Sequence, residues 1–272
     1  EALREWRTDI DILELERMAD EIGGVKNPLL ALQRQTSPNP ALAVSLDGGF
    51  DALLSRASGK RKKKKHRSQT RKFEAVGPHR RFRATTPDEV DRVLDAFFVM
   101  KESRFRQKGI DNVFGPDNVR AFFLTLFKEA LAKPRPAFVL HALEVAGTIR
   151  AVTGSSVEGK RLICEFGAIR EDELAGASPG EFLFFDNIQE ACEQGFDIYD
   201  FSVGDEPYKR LWCDIEVTQS DAYLPLSLRG HGFAAYLRAQ NRTKSFVKNS
   251  PTIWRLAKAL RKQKALVRDE DE

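Results

Sequence analysis

Apolar and polar positions alternate most clearly between Ala137 and Ile169. Three β-rich runs, Ala137–Val145, Thr148–Val157 and Lys160–Ile169, are separated by Ala146-Gly147 and Glu158-Gly159, a pattern that predicts a meander of tight hairpins. Before it the period is helical. Thr86-Pro87-Asp88-Glu89 carries an N-cap Thr, a Pro at the first helical position and a Glu at the third, and the helix it opens places Val90, Val93, Leu94, Phe97 and Phe98 on one face up to Gly109. Pro116-Asp117 opens a second helix through about Ala132, with Val119, Phe122, Phe123, Leu126 and Phe127 predicted to face inward. After the meander, Ser178-Pro179-Gly180-Glu181 reads as another capping box, opening a helix that Gly195 ends. Phe196–Val203 then reads as a strand, Pro207–Cys213 as a short helix and Glu216–Ser227 as one or two last strands.

The first 75 residues are less regular. Asp9–Met18 reads as a strand ending at the Gly23-Gly24 turn, and Pro28, Pro38 and Pro40 make residues 24–45 mostly irregular. Gly49 to Lys72 reads as one helix with an apolar stripe of Phe50, Leu53, Leu54 and Ala57, open to a kink at Gly59. His79–Thr85 is a short strand. The order defines an α+β class: a mixed, mostly antiparallel sheet flanked by helices. The helix between Cys164–Ile169 and Phe196–Val203 is a crossover, which predicts that these strands lie parallel and splay at their C-terminal ends.

Composition narrows the picture. No apolar run approaches the roughly 20 residues of a membrane span. Three cysteines far apart, Cys164, Cys192 and Cys213, argue against a disulfide framework, and four histidines form no metal-ligand spacing, so no metal is expected. These features predict a protein of a reducing, cytoplasmic compartment. Charge changes the picture more. Residues 60–72 hold nine cations and no acid, residues 238–268 hold ten and no acid, and the net charge of the chain is only +4. The run Lys60–Lys72 suits phosphates of RNA, of an anionic membrane surface or of a nucleotide cofactor. The plain alternative is a solvated helix face. The acidic remainder of the chain counts against a broad RNA surface; the run itself counts for one.

Candidate chemistry gathers where Phe196–Val203 ends. Gly204 is followed at once by Asp205, Glu206, Tyr208, Lys209 and Trp212, at the strand end where α/β folds place ligands. Glu206 or Asp205 is the expected general base. Lys209 is the expected cation for an oxyanion, a phosphate or an acceptor carboxylate. Tyr208 and Trp212, four residues apart, either stack on a sugar or pack into the core. Arg104 is a second candidate for the acceptor site.

The chain resembles the cellulose-biosynthesis acetyltransferases (CelD/BcsL-like), a GNAT-like family similar to the Fem transferases. The resemblance rests on Asp11-Ile12-Leu13-Glu14-Leu15 before Asn27-Pro28-Leu29-Leu30, and on Gly49-Phe50-Asp51-Ala52-Leu53-Leu54. Lys101-Glu102-Ser103-Arg104-Phe105 with Gly109 and Phe114, Ser178-Pro179-Gly180, and Asp200-Phe201-Ser202 through Lys209 and Trp212 complete it. It implies a GNAT fold, an acyl-CoA (acetyl-CoA) donor and a small-molecule or glycan acceptor, with work in polysaccharide or cell-envelope biosynthesis and a place at the inner membrane face. It further implies that the donor pyrophosphate sits at the helix opening at Ser178, with Gly176 and Gly180 allowing close approach. A backbone N–H near Ala168 or Ile169 would polarise the thioester. The usual GNAT phosphate signature, Arg or Gln spaced before two glycines, is missing, which leaves a Fem-like aminoacyl-tRNA donor, or a non-catalytic module bound to nucleic acid or membrane, as alternatives. The Fem likeness also implies that residues 1–58 close a truncated N-terminal half, that 59–75 form a basic connector, 76–228 the acyltransferase domain and 229–272 a basic helical extension. On that view Ile10–Leu15 would offer an unpaired strand edge.

Overall fold

The computed structural model describes residues 7–22, 24–56 and 58–249. The strands are β1 (Ile12–Met18), β2 (Glu21–Ile22), β3 (Val25–Lys26), β4 (Arg34–Thr36), β5 (Ala41–Ser45), β6 (His79–Arg83), β7 (Phe138–Val145), β8 (Thr148–Glu158), β9 (Arg161–Ile169), β10 (Ile198–Val203), β11 (Ile215–Val217) and β12 (Ser220–Pro225). The helices are α1 (Gly49–Arg56), α2 (Gly59–Glu74), α3 (Pro87–Gln107), α4 (Asp117–Leu131), α5 (Pro179–Glu193), α6 (Pro207–Arg210) and α7 (Leu228–Asn249).

Contacts divide the chain into two units. One holds residues up to Leu42, Val203–Asp205 and the described chain from Glu216 onward; the other holds Ala43–Ser202 and Glu206–Ile215. In the first unit β1, β12 and β4 form a sheet in that order, with Ile12 to Leu15 paired antiparallel to Pro225 to Ala222. The segment expected to offer an unpaired edge is therefore laddered on one side, and Met18 is buried with Leu30 and Ala222 beneath it. The basic stretch 238–268 begins on α7, and its part beyond 249 lies outside the described residues.

The second unit is built on a seven-stranded sheet in the order β11-β5-β10-β9-β8-β7-β6. β6 to β9 are an antiparallel meander, as the two-residue turns predict, and β10 joins β9 in parallel across the crossover α5. β5 corrects the expectation of an irregular 24–45. Leu42, Ala43 and Val44 are all buried, so the run is apolar on both faces and shows no alternation to read. Gly49–Lys72 is two helices rather than one. Ser58 between them sits in the left-handed region at φ 50°, and a Cβ on Gly59 would lie 2.1 Å from the Leu54 carbonyl oxygen. Phe97, Phe98 and Phe127 are buried as expected, but Phe122 is 58% exposed, because α4 meets its neighbours along Phe123 and Phe127.

A polar network lies inside this core. Arg81 on β6 donates to Asn187 Oδ1 (2.8 and 3.0 Å) and pairs with Glu190, while Asn187 donates to Thr153 Oγ1 at 2.9 Å. His141 Nε2 lies 3.2 Å from Glu190, and its buried Nδ1 has no partner. Burial outweighs the pull of Glu190 and holds His141 down at about 4. A group whose folded value is depressed binds its proton more weakly in the fold than in the unfolded chain. Stability is therefore lost as pH falls from about 6.5 toward 4. Between about pH 7 and 5 the loss should reach about 2 kcal/mol. Urea midpoints measured across that range check it, and His141→Gln should flatten the dependence.

Candidate active site

The parallel ladder between β9 and β10 is short. It runs from Arg161–Ile198 through Leu162–Tyr199 to Ile163–Asp200 and stops there. Local features on each strand turn them apart. On β9 the partners of Gly154 and Ser155 are Phe166 and Cys164, so Glu165 is an extra residue, a β-bulge that bends the strand. The Phe166 ring crosses the site of a missing side chain: a Cβ on Gly154 would fall 2.1 Å from it. That ring packs on Phe97 at 4.5 Å and Phe123 at 5.3 Å. On β10, Ser202 adopts φ 59° and donates its N–H to Asp200 Oδ1 at 2.6 Å, and Gly204 follows at φ 131°. Asp200 is held in turn by Arg161 Nε at 2.9 Å. Past Ile163–Asp200 the two strands no longer pair, and the cleft expected from their splaying would be edged by the backbone of Cys164–Ile169, the segment that carries Ala168 (buried) and Ile169 (half-buried).

The expected capping box at Ser178 does not form. Ser178 is in the left-handed region (φ 56°, ψ 61°) and its side chain caps nothing. Glu181, the other half of the box, turns to Lys65 on α2 instead, and Gln69 Nε2 donates to the Ala177 and Ser178 carbonyls at 2.9 and 3.0 Å. α5 thus opens without a side-chain cap, and its Glu181 and Phe182 N–H groups donate to the Ser178 carbonyl at 3.1 and 3.2 Å. Gly180 is needed there: a Cβ would meet Ile169 Cγ2 at 2.8 Å, so α5 packs directly on the end of β9. Gly176 is exposed with open space around its Cα, and close approach gives no reason for a glycine there.

The cluster after β10 is partly brought together. Lys209 is 5% exposed, with Nζ 3.0 Å from Glu206 Oε2, whose side chain is half-exposed. Tyr208 is half-buried, stacked on Phe184 at 5.4 Å; burial first, then Glu206, raises its phenol so that it keeps its proton at neutral pH. Trp212 is buried edge-on against Phe185 at 5.9 Å, with Lys62 Nζ 4.4 Å over its ring. The helical turn α6 ends at Arg210, with Trp212 and Cys213 N–H both donating to the Lys209 carbonyl at 2.9 Å, and Tyr208 and Trp212 reach the neighbouring rings Phe184 and Phe185 of α5. Asp205 is exposed and belongs to the other unit. Arg104 pairs with Glu171 at 3.2 Å, and its charge is felt at Tyr208.

Lys101 is a candidate that the motif reading passed over in favour of Arg104. Its Nζ lies 5.4 to 5.7 Å from the rings of Phe97, Phe105 and Phe114, and burial, then Arg104 and Lys108, lowers its pKa. The signal was its spacing. Lys101 is four residues from Phe97 and four from Phe105, which sets it on the apolar side of α3. Cys164 and Cys213 are each pushed up to about 12 by burial against the opposing pull of Lys209, so both are neutral thiols and poor nucleophiles at pH 7. Among the described residues no group of three or more His, Cys, Asp or Glu side chains is placed to hold a metal ion.

A crossover between parallel strands that part at their C-terminal ends, inside an otherwise antiparallel sheet, agrees with the sequence family: a model of the acetyltransferase (GNAT) domain matches residues 60–210. The chain belongs to the GNAT family. The GNAT fold and an acyltransferase activity follow from that membership. The C-terminal domain (DUF2156) of a putative lysylphosphatidylglycerol synthetase from Agrobacterium fabrum superposes with TM-score 0.55 at 13% identity, covering 89% of this chain and 74% of that one. FemX gives 0.49 at 10% identity over 81% and 68%, and a GCN5-related N-acetyltransferase from Kribbella flavida gives 0.34 at 12% over 79% and 67%. At these identities the likeness concerns the fold alone. No curated protein sequence matches the chain.

Proposed function

We propose that this GNAT domain moves an acyl group, acetyl in the simplest case, from acyl-CoA to an amine or hydroxyl of a small-molecule or glycan acceptor. The observation that carries the reading is the end of the β9–β10 ladder at Ile163–Asp200, followed after β10 by the buried Lys209 paired with the half-exposed Glu206. The donor arm would lie along the open edge of Cys164–Ile169, where a backbone N–H of Ala168 or Ile169 polarises the thioester carbonyl. The donor pyrophosphate would meet the uncapped first turn of α5, at Ser178 and Gly180, which packing and dipole prepare for an anion. Glu206 takes the acceptor proton as the new bond to the acyl carbon forms, and Lys209 offsets the negative charge that develops. The carbon–sulfur bond then breaks, and the neutral phenol of Tyr208 supplies the proton that leaves with the thiol. Arg104 and Lys101 would hold an anionic part of the acceptor, with Trp212 as an apolar wall.

The CelD/BcsL-like motifs support polysaccharide or cell-envelope chemistry, with a cytoplasmic enzyme working at the inner membrane face. Among the described residues no helix is long and apolar enough to cross a membrane. The basic helix α2 is the observation that supports a second reading, with aminoacyl-tRNA as the donor. Thermal unfolding separates the two. Acetyl-CoA at about a hundredfold excess over its Kd should stabilise by about 2.7 kcal/mol, a rise in Tm of several degrees. A rise with aminoacyl-tRNA and none with acetyl-CoA would transfer the donor site to RNA.

A further inference from the structure

α2 is an expensive helix for a protein to keep. Its first turn holds Lys60, Arg61 and Lys62 with no acid, where the helix dipole disfavours positive charge, and Ser58 before it gives no side-chain cap. Inward contacts account for part of its charge. Lys63 pairs with Asp51 at 3.1 Å, Lys65 with Glu181, and His66 with Asp186 at 2.7 Å; Lys62 covers Trp212, and Gln69 and Phe73 are buried. Lys60, Lys64, Arg67 and Arg71 have no such use. They follow one another at four, three and four residues, so they form a single row of about 16 Å along the outer face. All four are exposed, and no carboxylate among the described residues lies within ion-pair distance of any of them. Lys64, Arg67 and Arg71 line a shallow open hollow with Thr70. Like charges at these spacings repel, and only Arg71, in the last turn of the helix and three residues before Glu74, has a local offset.

We infer that this row docks the phosphate backbone of an RNA strand. A compensating partner must bring closely spaced negative charge in a line, and a phosphodiester chain does so. Two of the four cations are arginines, whose planar forks grip phosphate oxygens in pairs. A lipid surface fits less well. The only apolar side chain in α2 is Phe73, which is wholly buried, so the helix has nothing to insert between acyl chains. The inference rests on no step of acyl transfer, and its failure would leave the acyl-CoA reading untouched while removing the support for an aminoacyl-tRNA donor.

The test is binding of a labelled single-stranded RNA of about 20 nucleotides, followed by anisotropy between about 50 and 200 mM KCl, with no acyl donor present. The full chain should show log Kobs falling against log salt with a slope of about −3 or steeper, since four neutralised phosphates on a single strand contribute about −0.7 each. The variant K60Q/K64Q/R67Q/R71Q should bind at least about tenfold more weakly at the lower salt, and its slope should flatten by about 3. Its Tm should not fall, because it removes repulsion and no ion pair. Sedimentation with vesicles of phosphatidylglycerol and phosphatidylcholine in equal parts is the second arm. Equal RNA affinity and slope in the two proteins would overturn the inference. So would a variant that loses the vesicles and keeps the RNA.

Discussion

Lys209→Met is expected to lower turnover at least tenfold, about 1.4 kcal/mol of barrier, with donor binding retained. Lys209 is almost wholly buried, yet its partner Glu206 is half-exposed, so losing the ammonium leaves the Glu206 carboxylate open to solvent. Methionine keeps most of the stem packing that an alanine would remove. Lys209→Ala is expected to lose stability as well as turnover, because a buried stem cut back to Cβ opens a cavity. Single replacements of Lys63 or Lys64 by Gln should leave turnover unchanged, since both are exposed side chains. Lys62 and Lys65 are different, because one covers Trp212 and the other holds Glu181 at the start of α5. Steady-state kcat for these variants, with acetyl-CoA and a reactive acceptor amine, decides the point. Unchanged kcat in Lys209→Met would remove Lys209 from the chemistry.

The run of lysines shows where sequence reading stops. Nine cations in thirteen residues look interchangeable as letters. Only the helix phase and the elements facing it sort seven of them into an aromatic contact, two ion pairs and an outer row of four, with Arg61 and Lys72 beside it. The fold was far more legible. The two-residue turn at Ala146-Gly147 fixes its hairpin register almost by itself, whereas the second turn falls at Gly159-Lys160, one residue beyond the expected Glu158-Gly159, because Glu158 stays in β8 paired with Arg161. The crossover between β9 and β10 leaves little choice but parallel pairing. β5 was hidden because its five residues follow Pro38 and Pro40 directly and its centre is apolar on both faces. Ser178-Pro179-Gly180-Glu181 misled for another reason. A capping box needs an extended N-cap, and Ser178 is drawn into the left-handed region while α2 takes hold of Glu181. The strand-end cluster was visible as a list of reactive residue types. Which of them are buried, and that Lys101 joins them from α3, depends on contacts between residues far apart in the chain.

Phe97→Ala is expected to cost about 4 kcal/mol of stability, within the range for a fully buried aromatic ring. The ring is wholly buried and meets Phe98 at 5.4 Å, Phe114 at 5.1 Å and Phe166 at 4.5 Å, with the Lys101 ammonium 5.5 Å from its centre. Its neighbours cannot easily collapse into the space, because Phe166 is pinned by the bulge of β9 and by the backbone of Gly154. The change should therefore reach the cleft as well as the core. Phe166 would lose its main support, the divergence of β9 from β10 would be less sharply held, and acetyl-CoA should bind more weakly even where the variant is folded. Phe122→Ala is the matched control, since that ring is 58% exposed on the outer side of α4; it should cost no more than about 0.5 kcal/mol. Urea denaturation at neutral pH measures both variants, and calorimetric titration with acetyl-CoA at low temperature reads the effect on the cleft. A loss below about 1 kcal/mol in Phe97→Ala would mean that the cluster repacks freely, and that the bulge rather than the ring sets the course of β9.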